Sequence, residues 1–490
     1  MVGAGIGGLA AALDLARRGL AVTVVEGVSR PGGKMREVEI HGNRIDSGPT
    51  VFTMPWVFES LFEDAGSALS EYVTIHAANL LARHAWPDGS RLDLFADHER
   101  TSTAIADFAG NSEAAGFRKF SDRARGIFRT LDLPFMRNPR PSLLSLLGAS
   151  GLRGLGDLWR LKPFRSLWYE LGQYFRDPRL RSLFARYATY SGASPLQAPA
   201  TLMLIAHVEQ CGVWRIEGGM QRLAEALVHE IRRHEGEVRF NCPARAIDIR
   251  DGRAVGVILA DEERLPADAI VTNADTAAIA NAELGAGAAA AVARPGAGHR
   301  SLSAVTWSLV AETSGFELAH HNVFFPNAYP GEFEDIFRRA RLPVHPAVYV
   351  CAQGKVNDGS SRAARRLFMI ANAPADGDRV DYDEASIAPF QAAVFELLRS
   401  CGMSVAASPE RTVVTTPADF EARFPGTGGA LYGSPPHGWR ASFARPSARS
   451  RIPRLYLVGG SVHPGPGVPM VALGGRFAAQ AVAEDLEVTR

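Results

Sequence analysis

A glycine-rich turn at the start of the chain constrains the fold more than any other feature. Gly3, Gly5 and Gly8 are spaced G-x-G-x-x-G, and the residues that follow are rich in Ala and Leu. This composition predicts a helix that begins at the glycines and ends before Gly19, because glycine commonly follows a helix C-terminus. Glycines let the backbone approach a phosphate, and the free N–H groups of a helix N-terminus bind anions. The pattern therefore predicts a site for a phosphate-containing ligand.

The next predicted strand ends in an acidic residue. Residues 22–25 read Val-Thr-Val-Val, and Glu26 follows them, eighteen residues after Gly8. A carboxylate at this place accepts hydrogen bonds from the ribose of a dinucleotide. The turn, helix, strand and acid together predict dinucleotide binding, which a lone G-x-G-x-x-G would not. The alternative, a buried Ala/Gly-rich helix without a ligand, leaves Glu26 unexplained.

The strand that should lead into the glycine turn is short. A usual strand has about five or six residues, yet only Met1 and Val2 precede Gly3. We predict that the working protein begins upstream of Met1, with about five to eight further apolar residues that complete this strand.

Two compact motifs follow Glu26. The first is Arg30-Pro-Gly32-Gly33-Lys34, whose glycines allow a close crossing of the backbone over a dinucleotide. Its Arg30, with Lys34 or Arg36, can neutralise phosphate charge. The second is Asp-Ser-Gly-Pro-Thr at 46–50.

A second glycine-rich turn lies near the end of the chain. Residues 454–461 predict a strand that runs into Gly459 and Gly460, and a helix is predicted from Ala472 to Leu486. The intervening stretch reads His-Pro-Gly-Pro-Gly-Val-Pro-Met over 463–470. A glycine turn at a helix N-terminus suits a further phosphate or carbonyl group of the ligand.

Between these ends, local patterns predict ordinary elements. They are helices over 56–65 and 387–401, a glycine turn followed by a helix over 214–227, a hairpin over 85–95, strands over 303–310 and 347–352, and a hairpin around Asp251-Gly252 formed by strands at 237–240 and 255–258.

Composition excludes several classes of protein. The net charge of +1 over 490 residues argues against a nucleic-acid-binding protein, which usually carries a basic excess. The four cysteines are scattered without C-x-x-C spacing, which predicts reduced thiols in a cytosolic protein. No run of eighteen apolar residues predicts a membrane span. His320, His321 and His345 show no ligand spacing, so no metal site is predicted.

The motifs resemble those of a known family. The glycine turn, Glu26, R-P-G-G-K and D-S-G-P-T are similar to those of FAD-containing flavoproteins of the amine-oxidase type, and most similar to bacterial carotenoid desaturases of the phytoene desaturase group. H-P-G-x-G-V-P-M, with T-V-F-T-M at 50–54, resembles one branch, the 1-hydroxycarotenoid 3,4-desaturases. Amine oxidases usually carry an acid where this chain has Gly460.

The resemblance implies an α/β flavoprotein of two domains. A discontinuous Rossmann-like FAD-binding domain would comprise 1–75, 211–275 and 446–490, and an inserted domain of sheet and helices, 76–210 and 276–445, would bind the substrate. The strand ending near Ala246-Ile247 would meet the adenine. The residues predicted to contact FAD are Gly3, Gly5, Gly8, Glu26, Arg30, Gly32, Gly33, Lys34, Gly48, Pro49, Thr50, Ala246, Gly459, Gly460, Gly467, Val468, Pro469 and Met470.

The implied reaction is dehydrogenation of a carotenoid C–C bond, with hydride transfer to the flavin and reoxidation by oxygen or a membrane quinone. No general base is identified. Amine oxidases of this superfamily hold a water with a lysine, but Lys34 belongs to the cofactor motif and Lys355 lies in a Gly-Lys turn.

A basic, apolar segment favours contact with a membrane. Residues 137–186 hold ten basic and three acidic residues, a net charge of +7, interleaved with Leu, Trp and Phe. This composition is typical of an interfacial segment that does not span the bilayer. Composition alone favours the alternative, a solvated helical face. The water-insoluble carotenoid that the resemblance implies favours instead a cytoplasmic protein bound peripherally to the membrane.

Three other functions remain open at the level of the sequence. The nearest is phytoene desaturation itself, or a carotenoid isomerase or saturase of the same fold. An amine oxidase is disfavoured by D-S-G-P-T and by Gly460. A non-enzymatic lipid-binding escort protein of this fold has less reason to keep a complete FAD signature.

Overall fold

The computed structural model describes residues 1–141, 164–294, 300–356, 364–438, 441 and 444–487. The strands in the described part of the chain are β1 (Thr23–Val25), β2 (Glu37–Ile40), β3 (Asn43–Asp46), β4 (Ile75–Ala77), β5 (Leu80–Ala85), β6 (Arg91–Phe95), β7 (Trp214–Ile216), β8 (Glu237–Arg239), β9 (Ala244–Arg250), β10 (Arg253–Leu259), β11 (Arg264–Pro266), β12 (Ile270–Thr272), β13 (Ser303–Ser314), β14 (His321–Phe324), β15 (Val348–Lys355), β16 (Ala364–Ala373), β17 (Ser404–Ala406), β18 (Thr412–Thr415) and β19 (Leu455–Leu457).

The helices alternate with these strands. They are α1 (Ile6–Ala16), α2 (Trp56–Asp64), α3 (His98–Ala109), α4 (Asn111–Leu131), α5 (Leu167–Leu171), α6 (Pro178–Ala185), α7 (Leu204–Gln210), α8 (Gln221–Arg233), α9 (Thr276–Ala280), α10 (Tyr329–Phe337), α11 (Glu384–Ser400), α12 (Pro417–Arg423) and α13 (Val468–Asp485). None of these helices combines the length and the apolar character needed to span a bilayer.

A parallel sheet is built around the first two residues. β1 pairs with β8, and β12 pairs with β19, in both cases in parallel. Val2 joins the two pairs, since it forms parallel bridges with both Val25 and Thr272. Its N–H donates to the carbonyl of Val271 at 2.8 Å, and Val25 N–H donates to the carbonyl of Met1 at 2.9 Å. Met1 and Val2 therefore lie at the central position of the sheet.

Helix α1 is buried along its whole length against this sheet. Leu9 and Leu13 have no exposed surface, and α1 packs against α8 and α13. A Cβ on Gly475 of α13 would lie 2.4 Å from the carbonyl oxygen of Gly7. The two helices thus approach more closely than a larger side chain at Gly475 would allow.

The eight-stranded sheet has one face covered by helix α11 and an opposite face that packs against residues 46–50. Its main path is β17-β13-β16-β15-β14-β5-β6, with β18 also paired to β13. Helix α11 covers one face, where Trp307 and Phe390 have ring centroids 6.1 Å apart. Residues of alternate parity point to the opposite face, and there the hydroxyls of Ser308 and Ser47 lie 2.6 Å apart. Residues 46–50 therefore pack on the face away from α11.

A third region is mainly helical. Helices α3 to α7 and α10 share one apolar core with β5 and β6. Four phenylalanine rings form its centre, with neighbouring centroids 4.6–5.8 Å apart, at Phe117, Phe120, Phe175 and Phe184. Residues 142–163 of the basic segment lie outside the described residues.

The structure confirms most of the local predictions. Helix α2 and the hairpin of β5 and β6 lie where the sequence placed them, and α11 begins three residues before its predicted start. These signals succeed because each depends on neighbouring residues.

Two predictions about strands and one about a helix are wrong. The hairpin at Asp251-Gly252 is formed by β9 and β10, whereas β8 pairs in parallel with β1. Ala246 accordingly lies near the beginning of β9 rather than at the end of a strand. Helix α13 begins at Val468, not Ala472, because a proline such as Pro469 is well tolerated in the first turn of a helix.

Candidate functional site

The glycine turn and the R-P-G-G-K motif are brought into contact. Gly32 N–H donates to the carbonyl of Ala4 at 2.8 Å, and Gly5 forms a parallel bridge with Gly32. A Cβ on Gly8 would lie 2.3 Å from the carbonyl oxygen of Gly3. The turn is thus closed tightly enough to exclude a side chain, and it leads directly into the N-terminus of α1.

Glu26 and Arg30 lie beside this turn. The two carboxylate oxygens of Glu26 accept hydrogen bonds from Ala4 N–H at 2.7 Å and Val28 N–H at 3.1 Å. Arg30 is half-exposed and forms an ion pair with Glu37 at 3.4 Å. The structure therefore places Glu26 against the glycine turn and pairs Arg30 with a residue outside it.

Asn273 is a residue of this site that sequence reasoning missed. Its side chain fills the space over the glycine turn, since a Cβ on Gly5 would lie 2.2 Å from Asn273 Nδ2. A Cβ on Gly459 would lie 3.0 Å from Asn273 Oδ1, so the same side chain reaches the C-terminal turn. The signal was available: Asn273 follows β12 directly, and ligands bind beyond the carboxyl ends of parallel strands.

The C-terminal turn meets the N-terminal one at Asn273. Gly459 and Gly467 both adopt positive φ, of 123° and 117°, and α13 begins immediately after Gly467. The first turn of this helix contains the predicted residues Val468, Pro469 and Met470. Gly460 accepts a hydrogen bond from the guanidinium of Arg445, whose pKa is lowered to about 10 by burial. Arg445 was missed because it lies outside every motif.

Residues 46–50 pack against the R-P-G-G-K motif. A Cβ on Gly48 would lie 2.1 Å from the carbonyl oxygen of Lys34. The Lys34 amine donates to the carbonyl of Leu431 at 2.9 Å, and burial lowers its pKa. Burial raises the pKa of Asp46 to about 6, although its carboxylate accepts a hydrogen bond from Met220 N–H at 3.0 Å. Pro49 is exposed.

A buried polar chain extends from Thr50 into the eight-stranded sheet. The hydroxyl of Thr50 lies 2.7 Å from the hydroxyl of Tyr349, which lies 2.6 Å from Nδ1 of His321. These contacts could not be read from the sequence, since they join residues from three separate segments.

His320, His321 and Cys351 form a group with ligand-type atoms within 4.8 Å of one another, the spacing a metal ion requires. Nδ1 of His320 lies 2.9 Å from the carbonyl of Ala352, and its Nε2 lies 3.7 Å from the Cys351 sulfur. Burial raises the pKa of the Cys351 thiol to about 12. His320 therefore bonds both to the backbone of β15 and to the Cys351 sulfur, while His321 bonds to Tyr349.

Ala246 is placed apart from the motifs. It lies in the three-stranded antiparallel sheet of β9, β10 and β11, where a Cβ on Gly285 would lie 3.0 Å from its own Cβ. Its contact with a cofactor stays a prediction, as do the cofactor contacts of the other predicted residues.

The assembled residues fit a dinucleotide cofactor. A tight glycine turn at the N-terminus of α1, backbone N–H groups and a second helix N-terminus at α13 converge at the carboxyl edge of the parallel sheet. Backbone donors and positive helix ends of this kind bind pyrophosphate.

Comparisons with known proteins agree with this geometry. Residues 6–302 match the model of the flavin containing amine oxidoreductase family. The chain is 50% identical to a hydroxyneurosporene desaturase of Rubrivivax gelatinosus, covering 100% of this chain and 94% of that one. It is 42% identical to a protein of the same name from Cereibacter sphaeroides (99% and 97% covered) and 30% identical to a 4,4'-diapolycopene oxygenase of Methylomonas (99% and 98%).

The chain belongs to the flavin containing amine oxidoreductase family. It is an oxidoreductase, and its cofactor is FAD. Among solved structures, cyclohexylamine oxidase of Brevibacterium oxydans shares the fold, with a TM-score of 0.60 at 16% identity over 99% of this chain and 98% of that one. An oxidoreductase of Methanosarcina mazei gives a TM-score of 0.57 at 18% identity, with 99% of each chain covered.

Proposed function

We propose that this protein desaturates a hydroxylated carotenoid, removing two hydrogens from the C3–C4 bond near a C1 hydroxyl. The observation that carries the proposal is the 50% identity to a hydroxyneurosporene desaturase over the whole of this chain. A second relative, at 30% identity, is named a 4,4'-diapolycopene oxygenase, and that name also refers to a polyene.

The residues of the two glycine turns would hold the cofactor. The N–H groups at the start of α1 would face the pyrophosphate, Glu26 would face the ribose, and the start of α13 would face the flavin end. FAD held there would supply the hydride acceptor that the dehydrogenation needs. Replacing Gly3 or Gly467 with any other residue would strain the turn, because both glycines have positive φ.

The apolar interior suits a polyene. Val51, Tyr190, Tyr349 and Tyr432 are partly buried and pack against the core shared by the helices and the eight-stranded sheet. Apolar surface gains about 25 cal/mol per Å² when it leaves water, so a long hydrocarbon binds favourably in such surroundings. We assign no general base: the Lys34 amine is already hydrogen-bonded to two carbonyls, of Ala430 and Leu431.

The assay is incubation of the purified holoprotein with a panel of carotenoids, followed by product spectra. We expect a hydroxylated substrate to gain one conjugated double bond. Phytoene as the preferred substrate would identify a phytoene desaturase, and turnover of none of the carotenoids by the flavin-loaded protein would contradict the proposal.

We further propose that the segment 137–186 docks on an anionic membrane, and that oxygen or a quinone reoxidises the flavin. Leu133, shortly before this segment, is 70% exposed, and within the segment Phe164 is 77% and Tyr169 55% exposed. The guanidinium of Arg165 lies over the Tyr169 ring, 5.1 Å from its centroid. Exposed aromatic and basic side chains together are typical of interfacial segments.

Sedimentation with anionic liposomes tests this docking. Each basic group near the surface contributes about 1 kcal/mol and is screened by salt. Changing Arg153, Arg160 and Arg165 to Glu should therefore release the protein, as should added salt. The matched control is Arg245→Glu, Arg250→Glu and Arg264→Glu on the antiparallel sheet. Equal release by both triple variants would contradict docking through 137–186.

A further inference from the structure

The chain of Thr50, Tyr349 and His321 is an unusual feature of an interior that otherwise suits a hydrocarbon. Tyr349 lies on β15, in the middle of the eight-stranded sheet, on the face away from α11. His321 opens β14, opposite Cys351. Thr50 ends the motif that packs on this same face. Three segments of the chain thus place three polar groups in a row.

All three groups are neutral. Burial raises the pKa of Tyr349 well above its ordinary value and lowers the pKa of His321 well below. His321 and Thr50 are buried, at 4% and 8% exposure. A neutral chain can bind an uncharged polar group without the cost of burying a charge.

Tyr349 is only partly buried, although it lies on an interior face of the eight-stranded sheet. Tyr190 is close enough to influence the pKa of Tyr349, and Tyr190 and Tyr432 are also partly buried against the same core. Partly buried side chains of this kind are the ones that a bound polyene would contact.

The chain has hydrogen-bonding capacity left over. A tyrosine or threonine hydroxyl has one donor and two acceptor positions, and neutral histidine offers one of each. If Tyr349 donates to His321, Thr50 donates to Tyr349 and keeps two acceptor positions. If His321 donates to Tyr349 instead, Tyr349 donates to Thr50. The Cys351 thiol also interacts with both hydroxyls and can pair with Thr50 as donor or acceptor. In either direction, Thr50 keeps one acceptor position for a further hydroxyl.

We propose that this chain binds the hydroxyl group of the substrate and so selects hydroxylated over unhydroxylated polyenes. The inference rests on the proposed function, and it assigns specificity to Thr50 and Tyr349 with His321 as the positioning residue. The carbon that bears a C1 hydroxyl lies two bonds from C3, so one contact here would fix the reacting bond along an otherwise uniform hydrocarbon. A site built to bond a hydroxyl rejects the analogue that lacks it, because its own polar groups are then left unpaired.

The test compares the preference for a hydroxylated over an unhydroxylated polyene in the parent and in two variants. For Tyr349→Phe and Thr50→Val, kcat/KM and the dissociation constant are measured with a 1-hydroxycarotenoid and with the same polyene lacking the hydroxyl. Bound polyene is followed by its absorbance, so binding is readable without turnover. We expect the parent to prefer the hydroxylated polyene and the preference to fall by about tenfold in each variant. The matched control is Tyr382→Phe, whose hydroxyl bonds to Asp376 outside this face.

The double variant Thr50→Val/Tyr349→Phe should lose no more preference than the larger single loss, since the groups act as one chain. FAD content and melting temperature establish that each variant is folded, and the two single variants serve as checks on each other. A preference that persists in both binding and turnover overturns the inference, as does a parent with no preference. Failure of the parent to turn over any carotenoid would instead contradict the proposed function, and the binding ratio would still decide the role of the chain.

Discussion

At the scale of residues, the cofactor site depends on where a side chain is tolerated. A Cβ on Gly8 would meet the backbone oxygen of Gly3 at 2.3 Å, whereas a Cβ on Gly5 would meet the side chain of Asn273 at 2.2 Å. Backbone cannot move out of the way without opening the turn, but a side chain can rotate. The two glycines therefore have different roles. Gly8 allows the turn to close, and Gly5 leaves room for the side chain above the turn.

We predict that Gly8→Ala lowers stability by about 1–3 kcal/mol and removes flavin, as overpacking of a tight site does. Gly5→Ala should lower flavin content less, and Asn273→Ala should restore part of that loss in the Gly5→Ala background but none in the Gly8→Ala background. Flavin absorbance per protein and chemical unfolding measure both effects. Equal behaviour of the two backgrounds would refute this division of roles.

A second residue-scale prediction concerns pH. Glu332 of α10 is buried, accepts hydrogen bonds from Asn372 at 2.6 Å and Ala347 N–H at 2.8 Å, and has its pKa raised from 4.5 to about 7 by burial. Because the folded-state pKa is raised, binding of a proton stabilises the folded protein at low pH. This contribution is complete below about pH 4.5 and is lost as the pH rises through about 7.

Glu332→Gln should therefore gain stability relative to the parent between pH 5 and pH 8, by at most about 3 kcal/mol. Glutamine can keep both hydrogen bonds if the Asn372 amide turns over. Urea unfolding at the two pH values measures the change, with Glu334→Gln on the same helix as the control. No difference in pH dependence between Glu332→Gln and the parent would contradict the assignment.

At the scale of elements, the contact of α1 with α13 links the two ends of the chain. Gly474 and Gly475 are adjacent in α13, but only Gly475 faces α1, where a Cβ would lie 2.4 Å from Gly7 O and 2.9 Å from Ala10 Cβ. A Cβ on Gly474 would lie 3.2 Å from its nearest neighbour, the carbonyl oxygen of His463.

Both changes to alanine improve helix propensity by about 1 kcal/mol, so they form a matched pair. We predict that Gly475→Ala lowers the melting temperature and flavin content, since it pushes apart the helices that carry the two glycine turns. Gly474→Ala should lower them distinctly less. Thermal unfolding of both variants checks this, and an equal or reversed order would be evidence against close packing at Gly475.

The sequence predicted the individual helices and strands better than it predicted which strands pair with each other. Helices α1, α2 and α11 and the β5–β6 hairpin follow from periodicity and turn residues within each segment. The partner of β8 was wrong because strand pairing is decided by distant segments, here β1. Asn273 was missed although it lay inside a quoted segment, whereas Arg445 and the chain from Thr50 to His321 left no local signal.

At the scale of the whole molecule, residues 46–50 connect cofactor site and substrate region. Gly48 packs on the Lys34 backbone beside the glycine turns, while Thr50 reaches Tyr349 on the eight-stranded sheet. Asp46 ties the same segment to Met220 and, through its backbone N–H at 2.8 Å, to the side chain of Gln353. This motif thus links the proposed polyene-binding face to the proposed cofactor site.

Anaerobic single turnover tests the central claim most directly. The holoprotein is mixed with excess 1-hydroxycarotenoid in the absence of oxygen, and flavin and polyene absorbance are followed together. We predict that the flavin absorbance bleaches while one equivalent of a carotenoid with one more conjugated double bond forms. Product formed without flavin reduction, or no product from a fully flavin-loaded protein, would contradict the account.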